Sequence, residues 1–234
     1  MLPIRDNVPT RTFPAVTIGL IAANFVVWFW ELHHPGVTAH VLKDGFYPCS
    51  VSGPCIPPAP LHHLAWYEGV FAGMFMHASW FHILGNMLFL WIFGNNVEDA
   101  FGHVRFLFWY LAAGVAAMAV QTFVTLHWAT QQEASVPFIG ASGAIAGVLG
   151  AYIVLLPGAR VLTLVLFIIP IRIPALVFLG LWFVFQLYEG DYALTHPQSG
   201  GGTAFFAHVG GFVFGLLTVN LVRRRDWRPA AYAR

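Results

Sequence analysis

Three short polar strings stand out in this sequence because the residues around them are almost all apolar. They are His77 to Asn86, which includes His82; Gly140-Ala141-Ser142-Gly143; and Ala207-His208-Val209-Gly210-Gly211. A serine hydroxyl becomes a nucleophile when a neighbouring base takes its proton, and a neutral histidine suits that role. Ser142 and His208 are therefore candidates for nucleophile and general base in acyl transfer. They are expected to act as a dyad, because no acidic residue is an obvious orienter for His208.

Acyl transfer also needs hydrogen-bond donors aimed at the oxygen that becomes negatively charged. The backbone N–H of Ser142 is one candidate, because it lies at a predicted helix N-terminus with its positive dipole end. The Asn86 amide and a ring N–H of His82 are others. Their spacing of four residues places both on one helix face. We interpret His77 as a residue that fixes the loop or the site.

The composition indicates the environment in which these residues must act. Of the 234 residues, 58% are hydrophobic and only 9% are charged, and the mean hydropathy is +0.70. A soluble domain carries about 25% charged residues. These values exclude a single soluble globule, a disordered chain and a nucleic-acid-binding protein. The chain is therefore predicted to cross a membrane several times.

Six apolar stretches approach the roughly 17 to 25 residues that a transmembrane helix needs. They cover residues 14–30, 81–97, 104–126, 144–156, 174–188 and 204–222. A further apolar run at 161–171 is too short to span. Because Arg160 and Arg172 bracket it and prolines interrupt it, we interpret it as an interfacial segment. The predicted fold is an all-α membrane protein, a bundle of six transmembrane helices.

Cationic residues predict the orientation of these spans. With six spans, ten of the eleven Lys and Arg residues fall on the side that holds both termini, and only Lys43 falls on the other. Residues 1–13 and the basic residues 223–234 are therefore predicted to be cytoplasmic tails of a transmembrane domain at 14–222. We expect the cell (plasma) membrane, with the site opening to the outer side. The long outer loop, 31–79, carries two cysteines that are either free or paired.

This topology brings the three polar strings together. Each string opens an even-numbered span, and all even-numbered spans run from outside to inside, so the strings lie at similar depth. Small residues then explain how the helices approach each other. Gly143, Gly147 and Gly150 form one small-residue face, and Gly211 with Gly215 forms another. Such faces allow close backbone packing in lipid.

The ordered set of motifs resembles the rhomboid intramembrane serine proteases. It consists of His82-x-x-x-Asn86, Gly140-x-Ser142-Gly143 and Ala207-His208-x-x-Gly211-x-x-x-Gly215. The resemblance implies that Ser142 is the nucleophile and His208 the base, with His82, Asn86 and the Ser142 amide as oxyanion donors. It also implies membrane-anchored protein substrates cut in or beside a transmembrane helix, and no metal or nucleotide. Ala146 departs from the family, which often has an aromatic residue there that packs on the catalytic histidine.

Structural interpretations of the same residues remain open. Ser142 alone could cap a helix, His208 could bond to a core carbonyl, and Asn86 could hold helices together. One alternative for the whole chain is a catalytically silent relative that binds membrane clients, although such proteins typically lack the serine or histidine. Another is a metal or proton carrier built on the histidines, but HExxH and an intramembrane carboxylate partner are missing from the sequence.

Overall fold

The chain is mostly helical. The computed structural model describes residues 2–34, 36–57, 59–60, 63–166, 168–195 and 204–230. Six long helical segments account for most of this length. They are α1 (Ala15–His33), the continuous run of α5 (Trp80–Phe89), a π-helical turn (Leu90–Gly94) and α6 (Asn95–Phe101), α7 (His103–Trp128), α9 (Ser142–Leu155), α10 (Ala175–Thr195) and α11 (Phe205–Val222).

Short helices lie in the connections between these segments. They are α2 (Val37–Asp44), α3 (Cys49–Ser52), α4 (Trp66–Gly73) and α8 (Gln131–Ala134). The two cysteines of this region, Cys49 and Cys55, are joined by a disulfide bond. An isolated antiparallel β-bridge between Phe46 and Phe138 joins the connection between α2 and α3 to the one between α8 and α9.

Among the described residues, three helices are long and apolar enough to cross a membrane by length and composition. They are α1, α7 and α11, with mean hydropathies of 1.7, 1.7 and 1.8. Helix α9 is apolar but has only 14 residues. Eleven of them are buried, which shows that neighbouring helices surround α9. Each of the six predicted stretches coincides with one of the six long helical segments, within a few residues at most ends.

Glycines set the distance between α9 and α11. A Cβ atom built on Gly211 would overlap the carbonyl oxygen of Gly143, and one built on Gly215 would overlap that of Gly147. On the other helix, a Cβ on Gly150 would overlap the carbonyl oxygen of Phe212. The two backbones are therefore in direct contact over about two turns, which only residues without a side chain permit.

The expectation of an all-α chain is wrong in one region, where three strands form an antiparallel sheet. They are β1 (Leu2–Asp6), β2 (Arg160–Val165) and β3 (Ile169–Pro174), with β2 in the middle. The 161–171 run therefore forms most of a β-hairpin. The physical reason is its alternation: Val161 and Thr163 are fully buried, whereas Arg160 is exposed. β-Branched residues at every second position favour a half-buried strand over a helix.

The sheet and the described residues that follow α11 meet at one end of the bundle, which we call the sheet end. The Asp6 carboxylate of β1 accepts hydrogen bonds from Tyr152 Oη at 2.6 Å and from Asn96 Nδ2 at 2.8 Å. The backbone N–H of Arg224 donates to the carbonyl of Ala100 at 3.0 Å. Because Tyr152 lies near the end of α9, the start of that helix at Ser142 is about 15 Å away along the helix axis.

Glu98 is a buried anchor for the first helix. Its carboxylate accepts from the backbone N–H groups of Val16 and Thr17, at 2.9 and 2.7 Å, and from the Thr17 hydroxyl at 2.6 Å. A carboxylate at a helix N-terminus satisfies free N–H groups and is stabilised by the positive end of the helix dipole. The contact fixes α1 against the α5–α6 run.

We expect Glu98→Ala to lower the thermal unfolding midpoint by on the order of 5 °C or more, because it leaves three donors near α1 without their acceptor. The measurement is circular dichroism during heating of the purified chain in detergent. Glu133→Ala is the matched control, because that carboxylate caps only the four-residue helix α8. An unchanged midpoint for Glu98→Ala would show that the contact contributes little to the stability of the fold.

Candidate active site

Ser142 and His208 are in hydrogen-bond contact. Ser142 is the first residue of α9, and His208 lies in the first turn of α11. The Ser142 Oγ and His208 Nε2 atoms are 2.7 Å apart. The glycine contact between Gly143 and Gly211 lies directly beside this pair and holds the two helices at the distance that the hydrogen bond requires.

The opposite edge of the His208 ring contacts Gln186. His208 Nδ1 and Gln186 Oε1 are 2.6 Å apart, and Gln186 is buried. An amide oxygen only accepts hydrogen bonds, so the ring proton lies on Nδ1 and is donated to Gln186. Nε2 is then free to accept the Ser142 hydroxyl proton. The contacts on both edges therefore agree on one tautomer, with the basic nitrogen facing the serine.

The indole ring of Trp182 also contacts the His208 ring. Its ring centroid is 5.7 Å from that of His208 at an interplanar angle of 40°. Trp182 and Gln186 are four residues apart on α10, so one face of that helix supplies both contacts. Ala146 is buried, and its methyl side chain cannot supply an aromatic contact to His208, so Trp182 provides that contact instead.

Neither Trp182 nor Gln186 was predicted as a site residue from the sequence. A signal was present, because Gln186 is a strongly polar side chain inside the apolar stretch 174–188, where such residues are functional candidates. Trp182 carries no comparable signal, since an aromatic residue in a span is ordinary.

Four polar residues of the first string form a second cluster. Ser79 caps α5 by accepting a hydrogen bond from the His82 backbone N–H at 3.2 Å. One turn further, Asn86 Nδ2 lies 3.0 Å from His77 Nε2, so the amide donates to the ring. The rings of His77 and His82 meet edge to face with centroids 4.9 Å apart. His77 is fully buried and fixes the Asn86 side chain from behind.

Gly140 brings this cluster next to Ser142. Its backbone has a φ of +115°, a value that residues with a side chain rarely adopt. In addition, a Cβ atom built on residue 140 would lie only 2.6 Å from His82 Nε2. The Gly140 backbone N–H also donates to the carbonyl of Gly73 at 2.7 Å. The loop before α9 can therefore pass directly over the His82 ring only because residue 140 is glycine.

A cavity of about 580 Å³ joins the two clusters. Its polar lining comes from His82, Asn86, Ser142 and His208, and the rest of the wall is mostly apolar, including Phe81 of α5 and Trp182 of α10. A mostly apolar pocket with a few convergent polar groups is the usual form of a ligand site. The structure thus brings four sequence-predicted residues to one cavity. It places His77 behind them, Gly140 against the His82 ring, and Gly143, Gly211 and Gly215 in the contact between α9 and α11.

Among the residues that the structure describes, no group of three or more His, Cys, Asp or Glu side chains is arranged to hold a metal ion. His208 bonds to Ser142 and Gln186, and His77, which lies behind the cavity, bonds to Asn86.

Several proteins resemble this chain in sequence. The presenilin-associated rhomboid-like protein, mitochondrial, of Bos taurus is 31% identical over 160 residues, which are 66% of this chain and 38% of that protein. Rhomboid protein 1, mitochondrial, of Saccharomyces cerevisiae is 29% identical over 150 residues, 63% of this chain and 40% of that protein. Rhomboid protease GluP of Bacillus subtilis is 41% identical over 76 residues, 32% of this chain and 13% of that protein. The chain thus spans well under half of the length of these relatives.

These names overturn the expected location. The Bos taurus and yeast relatives are mitochondrial by name, and a further relative, from Arabidopsis thaliana, is chloroplastic. The prediction of the plasma membrane is therefore wrong. That prediction was based on the distribution of Lys and Arg. This distribution indicates which side of a membrane a loop occupies, but it does not indicate which membrane the protein is in.

A family model described as Rhomboid domain matches residues 64–225, more than half of the chain. The match covers every residue of the two polar clusters, the glycine contact between α9 and α11, and the α10 residues that touch His208. The chain belongs to the rhomboid family.

Proposed function

We propose that this chain is an intramembrane serine endopeptidase, which hydrolyses peptide bonds in or next to transmembrane helices of membrane-anchored proteins. The observation that carries the proposal is the 2.7 Å contact between Ser142 Oγ and His208 Nε2, at the wall of a cavity with hydrogen-bond donors on its other side. Nucleophile and base within hydrogen-bond reach, with the base oriented by a third group, are the signature of an activated serine.

The proposed topology has six spans, formed by α1, the α5–α6 run, α7, α9, α10 and α11, with both termini on the cationic, sheet end. Three of these helices meet the length and hydropathy of a span on their own. The contacts of Asp6 with Asn96 and Tyr152 support placing the N-terminal strand beside the ends of α5–α6 and α9. The Cys49–Cys55 disulfide supports an oxidising compartment on the other side. The named relatives support an organellar membrane.

The proposed reaction begins when Ser142 Oγ attacks the scissile carbonyl carbon while His208 Nε2 takes the hydroxyl proton. The imidazolium that forms is stabilised by its Nδ1–H bond to Gln186 Oε1. When the C–N bond breaks, Nε2 returns the proton to the leaving amine. A water molecule, deprotonated by His208 in turn, then hydrolyses the acyl-enzyme and regenerates Ser142.

The carbonyl oxygen becomes negatively charged in the transition state and needs donors. Asn86 has two amide N–H groups, and only one is used by His77 at 3.0 Å. The other is available to the cavity that Asn86 lines. His82 lines the same cavity, and the Ser142 backbone N–H lies at the start of α9, where the helix dipole favours negative charge.

The cavity also suggests how a substrate binds. Its walls include Phe81 and Phe89 of α5 and Trp182 of α10, so apolar side chains of a membrane segment can be accommodated. A helix shields its own peptide bonds, so the segment at the cut must be extended. Substrates with helix-breaking or small residues near the cut are therefore expected to be preferred.

The alternative function is a catalytically silent relative that binds membrane clients. A silent protein has no need for a hydrogen-bonded serine and histidine, or for the Gln186 contact that orients the histidine. The endopeptidase is therefore the better-supported function.

We expect Ser142→Ala to lower the cleavage rate of a membrane-anchored reporter by on the order of 10⁴-fold or more, because the nucleophile is lost. Cleavage is read on gels after reconstitution into liposomes, and the unfolding midpoint shows that the variant is folded. Ser52→Ala, at an exposed serine in the outer loop, is the matched control and should cleave normally. Wild-type cleavage by Ser142→Ala would refute the endopeptidase proposal.

Gln186 is proposed as a positioning residue for His208. We expect Gln186→Leu to lower kcat by about 10- to 100-fold with little change in KM, because the bond to the transient imidazolium is lost. Gln186→Glu keeps an acceptor at the same place and should retain more activity than Gln186→Leu. Leu187→Ala, an exposed α10 neighbour, is the control for general effects on the helix. An equal loss of kcat in both Gln186 variants would contradict the proposal that the side chain acts through its hydrogen-bond acceptor.

A further inference from the structure

A cationic hollow lies on the sheet, far from the cavity that contains Ser142. Three arginines line it, one from each strand: Arg5 from β1, Arg160 from β2 and Arg172 from β3. The hollow has a volume of about 280 Å³. The function proposed above does not use it.

Strand register places the three arginines on one face of the sheet. Leu162 pairs with Arg5 on one side and with Arg172 on the other. Directly paired residues point to the same face, and so does Arg160, two residues before Leu162. The neighbouring residues Val161 and Thr163 point to the opposite, buried face. All three guanidinium groups therefore extend from the exposed face around one side chain.

Like charges that are gathered in this way repel each other unless an anion lies between them. Among the described residues, the salt bridges found involve only histidines and carboxylates elsewhere, and none involves these arginines. Asp6 is the acidic residue in the lining, but its carboxylate is occupied by Tyr152, Asn96 and the backbone N–H of Val8. Burial also raises the pKa of Asp6, which disfavours its charged form.

Apolar residues are exposed at both ends of the strand that carries Arg172. The hairpin of β2 and β3 ends in Leu166 and Ile168, which are 73% and 75% exposed. β3 leads straight into α10, whose first turns expose Leu176 and Val177. Arginines next to exposed aliphatic side chains, at the end of a membrane helix, match the boundary between lipid headgroups and acyl chains.

We propose that the face of Arg5, Arg160 and Arg172 binds the phosphate group of an anionic membrane lipid, while the hairpin end contacts its acyl chains. Guanidinium groups bind phosphate oxygens in bidentate pairs, which gives both affinity and orientation. The site anchors the sheet, and through β3 the start of α10, to the membrane surface. The proposal does not depend on proteolysis, so it can succeed or fail independently of the proposed function.

The test is a lipid titration of the purified 234-residue chain in detergent, with bound lipid counted by native mass spectrometry. The wild-type chain should bind phosphatidylglycerol about tenfold more tightly than phosphatidylcholine. The triple variant Arg5→Gln, Arg160→Gln and Arg172→Gln should lose this preference. Equal affinity of the wild-type chain for the two lipids would overturn the proposal.

The matched control removes three other arginines from the same end of the molecule, Arg223, Arg225 and Arg228, each replaced by Gln. The total charge changes by the same amount, and the preference should remain within about twofold of wild type. An equal loss in both triple variants would show general attraction to positive charge and would overturn the proposal of a defined site.

A further variant and a competition experiment complete the test. If the sheet variant fails to fold, Leu162→Glu places a carboxylate between the paired arginines without removing them, and it should also abolish the preference. Inorganic phosphate at the concentration of the lipid should not displace phosphatidylglycerol. Displacement would assign the hollow to a soluble anion instead and overturn the lipid assignment.

Discussion

The backbone contact between α9 and α11 is the constraint on which the rest of the candidate site depends. Lipid offers little hydrophobic drive for helices to associate, so close packing needs interfaces of small residues. Gly211 and Gly215 face the carbonyl oxygens of Gly143 and Gly147, and no side chain fits between them. A separation of one more ångström would break the hydrogen bond between Ser142 and His208, since such bonds weaken steeply beyond about 3.2 Å.

Polar side chains in an apolar bundle must satisfy one another, and the site follows from this requirement. Ser142 bonds to His208, His208 to Gln186, and Asn86 to His77. Each bond fixes an orientation that catalysis would also need. Few residues of α10 are buried, yet Gln186 is one of them. The helix that forms a wall of the cavity therefore also orients the His208 ring, so any movement of α10 would also affect His208.

Hydropathy predicted the helices well because burial in lipid is a local property of the sequence, and the depth argument grouped Ser142, His208, His82 and Asn86. The sheet could not be predicted in the same way, since β1 pairs with a strand about 160 residues later and no local pattern specifies such a partner. The polarity of Gln186 within an apolar stretch marks it as a candidate, but its contact with His208 depends on the rotation of α10 about its axis, which the sequence does not specify. Spacing alone also left Cys49 and Cys55 undecided, whereas the structure joins them.

The most direct test of the account is covalent labelling with a fluorophosphonate probe, which reacts much faster with an activated serine than with an ordinary one. The wild-type chain in native membranes should be labelled at Ser142, identified by mass spectrometry of the modified peptide. His208→Ala should label at least about 100-fold more slowly, because the hydroxyl then has no base. A folded wild-type chain that stays unlabelled, or a His208→Ala variant that labels at the wild-type rate, would contradict the claim that these two side chains form a catalytic pair.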